Sequence, residues 1–205
     1  MEQLAATVGP GAFDPRRWRN HVRSSQRSRR GEPLIAVSPV RLNHAVLFVS
    51  DLETSIRFYR GLFSMEVIAR EPRARAAFLR LPRSGNHHDL GLFGVGASEP
   101  RRRGEVGLYH LAWQVDTIDE LANARADLIT AGAYGGESSH GATKSLYGAD
   151  PDGNEFEIMW MLPREEWGDY ENAAPIDHLD LADEVTKWSG VRTAGRLVPE
   201  TSSPS

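Results

Sequence analysis

The chain has no cysteine. Disulfides, thiolate nucleophiles and cysteine-held zinc or iron–sulfur sites are therefore excluded. Any metal must be held by His, Asp, Glu, Tyr or backbone oxygens. No apolar run approaches the roughly 18–20 residues of a membrane span, so no membrane partner is expected. The first residues lack the charged-then-apolar layout of a signal peptide, which points to a cytoplasmic location. No nucleic-acid-reading motif is present either, so no nucleic-acid partner is expected.

What is there begins with length: 205 residues suffice for one domain with a real core. The net charge of −4 hides a split. Residues 1–40 carry seven arginines against Glu2, Asp14 and Glu32, about +4 in all. With no apolar periodicity, 1–38 reads as a basic, disordered extension with one short helix around 18–22. A domain follows over 39–162, then a C-terminal extension over 163–205 with a short helix around 179–188 and a frayed end.

The domain contains a repeat. Arg41-Leu-Asn-His44-Ala-Val-Leu-Phe-Val49 lines up with Gly107-Leu-Tyr-His110-Leu-Ala-Trp-Gln-Val115. Each strand-like run precedes a helical pattern. In the first, Ile56, Tyr59, Leu62 and Phe63 share a face; in the second, Leu121, Ala124, Leu128 and Ile129 do. Asp51 and Asp116 or Thr117 suit N-caps, and Gly132 suits the stop after the second helix. Further strands are predicted at 67–69, 76–81 and 89–93, and at 135–137, 145–148 and 156–161. Each half is thus β-α-β-β-β, with modules at about 41–95 and 106–162. The expected fold is α+β: two tandem βαβββ modules forming one curved mixed sheet around a metal-containing cleft.

His44 and His110 occupy equivalent positions in the repeat. Glu157 follows the tight turn Asp150-Pro-Asp-Gly-Asn154. Strand alternation puts Glu155, Glu157 and Met159 on one face and Phe156, Ile158 and Trp160 on the other. Two imidazoles and one carboxylate with open positions fit the facial triad of non-haem Fe(II) oxygenases, and Mn(II) fits the same donors.

These segments resemble the vicinal oxygen chelate superfamily of glyoxalases, drug-resistance proteins and dioxygenases. The resemblance runs from about 40 to 162. Its carriers are Asn43 to Tyr59 and Asp150-Pro-Asp-Gly-Asn-Glu-Phe-Glu157. The run His140-Gly-Ala-Thr-Lys-Ser-Leu-Tyr147-Gly-Ala-Asp-Pro-Asp-Gly-Asn-Glu-Phe-Glu157 is similar to the signature of one-domain type I extradiol, catechol 2,3-dioxygenase-like enzymes. Ser138 departs from the small or apolar residue usual there. The resemblance implies an Fe(II)-dependent enzyme that inserts O2 into a catecholic ring next to the diol. It implies metal ligands His44, His110 and Glu157, catalytic residues His88, His140 and Tyr147, and a homo-oligomer.

Two rivals stand beside this reading. A glyoxalase-like lyase or isomerase would carry a fourth ligand from the first module. Aligning Gly85-Asn86 with Gly153-Asn154 puts Asp89 at that position, in a register two residues away from the one the histidines set. His88 facing the metal favours the oxygenase; Asp89 facing it favours the lyase. The other rival is a metal-free protein that binds an aromatic compound.

Overall fold

A computed structural model of the chain describes residues 38–97, 104 and 106–194. The helix expected around 18–22 and the Arg101, Arg102, Arg103 run lie outside them. All regular elements fall in a unit that begins at Asn43.

The first module is β1 (Ala45–Val49), α1 (Leu52–Phe63), β2 (Glu66–Glu71), β3 (Ala76–Arg80) and β4 (Leu90–Gly94). Asp51 caps α1, its carboxylate accepting from the Thr54 N–H at 2.7 Å. Ile56 and Tyr59 turn inward as their spacing predicts. The helix carries the chain across the sheet, so β4 returns parallel to β1, and β3 and β2 follow antiparallel in the order β1-β4-β3-β2.

The second module repeats this plan: β5 (His110–Gln114), α2 (Ile118–Thr130), β6 (Tyr134–Ser139), β7 (Thr143–Ala149) and β8 (Glu155–Met161), in the order β5-β8-β7-β6. Thr117 is the cap of α2. Gly132 turns the chain just past the helix end with φ 66°. Phe156, Ile158 and Trp160 pack on Ile118, Leu121 and Leu128, which is the alternation expected for β8.

The strands form two four-stranded sheets, one per module, rather than the single curved sheet expected. Among the described residues no ladder joins them, so β1 and β5 each keep one edge without a strand partner.

The two modules meet through α1. Phe63 packs on Trp113 and Phe156 with ring centroids 5.7 and 5.3 Å apart, and Phe58 lies 6.0 Å from Phe156. The Tyr59 hydroxyl donates to Asp150 Oδ2 at 3.0 Å within this buried junction. The Ser50 N–H donates to the Asp152 carboxylate at 3.1 Å. The turn before β8 is thereby held at the head of α1. Arg83 and Glu120 form a two-bond clamp at the head of α2 (2.9 and 3.0 Å).

The C-terminal extension packs on the second module. Its helix α3 (Leu181–Trp188) puts Trp188 6.2 Å from Trp160. Buried Lys144 pairs with Glu184 at 2.9 Å. Ser139 and Asp177 exchange backbone hydrogen bonds of 3.0 and 2.9 Å, so a strand-like segment lies against the end of β6.

Candidate metal centre and active site

The parallel pairing of β5 with β8 sets His110 opposite Glu155 and Ala112 opposite Glu157. Side chains at 110, 112, 155 and 157 then share the face away from the core. On that face His110 Nε2 stands 3.0 Å from Glu157 Oε2. Two donors about 2.1 Å from one ion and at right angles to each other are about 3 Å apart, so this pair fits a metal. Glu157 is buried, and a carboxylate there needs a cation or proton beside it. Tyr147 is the β7 partner of Glu157, and its ring centroid lies 5.8 Å from that of His110.

His140 joins the group from the β6–β7 connection. Its Nδ1 lies 2.7 Å from the Pro175 carbonyl oxygen. A carbonyl only accepts, so Nδ1 carries the proton and donates. In the neutral ring Nε2 is then a lone pair, and it accepts from the Tyr147 hydroxyl at 2.7 Å. Ser138 Oγ sits 3.0 Å from His140 Nε2 and 3.3 Å from the Tyr147 hydroxyl. Burial raises the Tyr147 phenol above its ordinary 10.0, and the Glu157 charge adds to this while Ser138 opposes it. Ser138 entered the sequence reading only as a departure from a signature. The Pro175 carbonyl had no sequence signal at all, being a backbone group outside the repeat.

The first module carries the other imidazoles. His44 Nδ1 donates to Asn43 Oδ1 at 3.0 Å, so in the neutral ring Nε2 presents its lone pair for a metal. The His88 ring lies 4.4 Å from His44 and 5.2 Å from Phe78. Burial lowers the His88 pKa, and the charges of His44 and His87 lower it further. His87 is exposed and reaches His88 at 3.0 Å between the two Nδ1 atoms.

Asp89 is not offered to a ligand. Its Oδ2 accepts from the Leu81 N–H and the Ser84 hydroxyl, both at 2.7 Å, and its Oδ1 accepts from Asn86 Nδ2 at 2.7 Å. It is buried as the clasp of the β3–β4 turn. Strand register gives the reason. Val46 pairs with Gly91 as Ala112 pairs with Glu157, so the place equivalent to Glu157 belongs to Gly91. The Gly-Asn alignment that pointed to Asp89 is two residues out of step; the histidine alignment is correct.

The expected convergence of His44 with His110 and Glu157 does not occur within the chain. Among the described residues no three His, Asp or Glu side chains are grouped to hold a metal. The junction explains why. The turn leading into β8 is tied to Ser50, at the far end of β1. His44 precedes β1 at its other end, about 20 Å away for six residues at roughly 3.3 Å each. The structure therefore brings together His110, Glu157, Tyr147 and His140, and separately His44 and His88.

Comparison with known proteins agrees with this architecture. Residues 41–158 match the model of the Glyoxalase/Bleomycin resistance protein/Dioxygenase superfamily. The chain is 32% identical over 127 residues to a catechol-2,3-dioxygenase of Bacillus subtilis, a match covering 62% of this chain and 43% of that protein. The chain thus spans less than half the length of that relative. It is 33% identical over 141 residues to biphenyl-2,3-diol 1,2-dioxygenase 3 of Rhodococcus globerulus, covering 66% of this chain and 72% of the other. A glyoxylase/bleomycin resistance protein/dioxygenase domain from Frankia sp. EAN1pec shares the fold at a TM-score of 0.52 and 24% identity, over 60% of this chain and 99% of that one. From the matched family model and the paired βαβββ modules together, the chain belongs to the glyoxalase/bleomycin resistance/dioxygenase superfamily.

Proposed function

We propose that this protein is an Fe(II)-dependent extradiol dioxygenase that opens a catecholic ring beside its diol, using O2. The observation that carries the proposal is that Gly91 stands at the place equivalent to Glu157 while the Asp89 carboxylate is taken up by Leu81, Ser84 and Asn86. A four-ligand lyase site needs a carboxylate from the first module; this chain has a glycine at that place, and its nearest acid closes a turn. The first module instead sets a second imidazole, His88, beside His44.

His110 and Glu157, 3.0 Å apart, would hold the metal, with His44, which the chain by itself keeps apart from them, as the third donor; Mn(II) fits the same donors. When bound, Fe(II) supplies a Lewis acid that lowers a phenol pKa and a redox partner for O2. The chain supplies the proton handling. Tyr147 hydrogen-bonds to the lone pair of His140 Nε2. A catechol hydroxyl at Tyr147 can pass its proton to the phenol oxygen while the phenol passes its own to His140. The Pro175 carbonyl then faces an imidazolium and stabilises it. His88, with its pKa held down by burial, is a neutral base at neutral pH and would serve a substrate brought beside His44. The relatives named as catechol and biphenyl-diol dioxygenases support this substrate class.

The test is oxygen consumption by anaerobically Fe(II)-loaded protein across monocyclic and bicyclic catechols. Uptake with a coloured ring-opened product is expected for at least one. Bound iron with no uptake on any of them would favour a different superfamily chemistry.

A further inference from the structure

We propose that Ser138 is a positioning residue of the proton relay: its hydroxyl holds the Tyr147 oxygen while the proton leaves, and then accepts the new N–H of His140. The assignment rests on the reading that a catechol gives up its proton through Tyr147 and His140, and it adds a third member to that pair.

The fold sets the three groups in a triangle. In the β6–β7 ladder Ser138 pairs with Ser145 and Gly136 with Tyr147, so Ser138 and Tyr147 share a face. Ser138 is buried, and the backbone hydrogen bonds between Ser139 and Asp177 pin the strand end beside it. The Tyr147 hydroxyl lies 2.7 Å from His140 Nε2. Ser138 Oγ lies 3.0 Å from the same nitrogen and 3.3 Å from the Tyr147 hydroxyl.

The proton count decides what each contact is. Nδ1 donates to the Pro175 carbonyl, so the neutral His140 ring offers one lone pair, at Nε2. Two hydroxyls reach for it, and the nearer one, Tyr147, takes it. The Ser138 hydrogen is left for the Tyr147 oxygen, to which it donates. In this resting state Ser138 Oγ and His140 Nε2 face each other at 3.0 Å with no proton between them. When the Tyr147 proton moves to Nε2, that contact becomes an N–H···O hydrogen bond. In the same step the Ser138 hydroxyl meets the negative charge that develops on the Tyr147 oxygen until the catechol proton arrives. The bonds balance. The catechol O–H and the Tyr147 O–H break, a new Tyr147 O–H and the His140 Nε2–H form, and Ser138 keeps its own proton. Contacts that strengthen as the proton moves lower the barrier to the transfer.

The test mixes full-length, Fe(II)-loaded protein with a nitrocatechol in the absence of O2, at a pH where the free compound is neutral. Its colour reports ionisation, so stopped-flow absorbance reads the proton transfer apart from any oxygen chemistry. Ser138→Ala should keep the bound iron and form the ionised compound about tenfold more slowly or worse, the scale of one hydrogen bond to a charged group. Ser138→Thr keeps the hydroxyl and should recover most of the rate. In a His140→Gln background, Ser138→Ala should cost almost nothing more, because Ser138 acts through that imidazole. Circular dichroism checks that each variant is folded. An unchanged rate in Ser138→Ala overturns the proposal. So does a Ser138→Thr as slow as Ser138→Ala, or a loss that multiplies in full onto that of His140→Gln. A wild type that ionises the nitrocatechol yet consumes no O2 with any catechol refutes the dioxygenase reading alone, and the variants still decide the role of Ser138. A wild type that leaves the nitrocatechol neutral refutes the relay, and Ser138 falls with it.

Discussion

Gly91 holds in the first module the position that Glu157 holds in the second. Both sit one residue pair beyond Ala45–Leu90 and Leu111–Phe156 in their parallel ladders. A side chain at Gly91 would press on Val46, whose Cγ2 lies 3.2 Å from the place of a Cβ. The two modules therefore differ at this position: the second has a carboxylate there and the first a glycine.

Asp89→Asn separates the two readings of the first module. The variant should bind as much metal as the wild type and lose about 1–3 kcal/mol of stability, because three donors at the β3–β4 turn lose a charged acceptor. Metal titration together with urea unfolding measures both. Loss of metal without loss of stability would restore Asp89 as a ligand.

How much of this was legible beforehand follows from what each signal encodes. Strand and helix positions came through because burial imposes periods of two and 3.6 on the apolar residues. Ile56 and Tyr59 on α1, and Phe156, Ile158 and Trp160 on β8, fall as their spacing requires. The strand face on which Glu157 lies was legible for the same reason. The role of Asp89 was not, because a Gly-Asn turn recurs at two different distances from its strand and only the ladder fixes the register. The separation of His44 from His110 was also hidden. Equivalent repeat positions share a fold environment, but nothing in the repeat says that they face one another.

Tyr147→Phe should leave bound metal unchanged and slow turnover about 10²-fold or more, a usual scale for removing a positioned acid–base group. His140→Gln should fall in the same range. If the two hydrogen-bonded residues act as one relay, the double variant should be little slower than either alone. Fully multiplicative losses would show that they act independently.

Gly141→Ala tests the support of His140. Gly141 has φ 73°, and a Cβ there would run into the Tyr170 ring. The substitution should cost about 1–3 kcal/mol in strain and shift His140 relative to Tyr147. We expect kcat to fall several-fold while the metal stays bound. An unchanged kcat in a destabilised protein would detach the C-terminal segment from the relay.

Alkaline stability depends on Tyr59. Burial, then the Asp150 carboxylate, holds its phenol far above the ordinary value of 10.0. An unfolded tyrosine ionises near that value, while folded Tyr59 keeps its proton. The stabilisation is fully present below the unfolded pKa and is lost as pH rises above it. Tyr59→Phe should flatten this decline in urea midpoints taken from about pH 7 to about pH 11. At neutral pH it should cost about 1–3 kcal/mol, since Asp150 loses a buried donor. An identical alkaline slope in both proteins would assign the decline to other groups.

The most direct measurement of the central claim is the fate of oxygen isotopes. Fe(II)-loaded wild-type protein is given a catechol under ¹⁸O2 and the ring-opened product is weighed by mass spectrometry. The account predicts that both labelled atoms are in the product. A product without label, or a transformation that proceeds unchanged without O2, would contradict it.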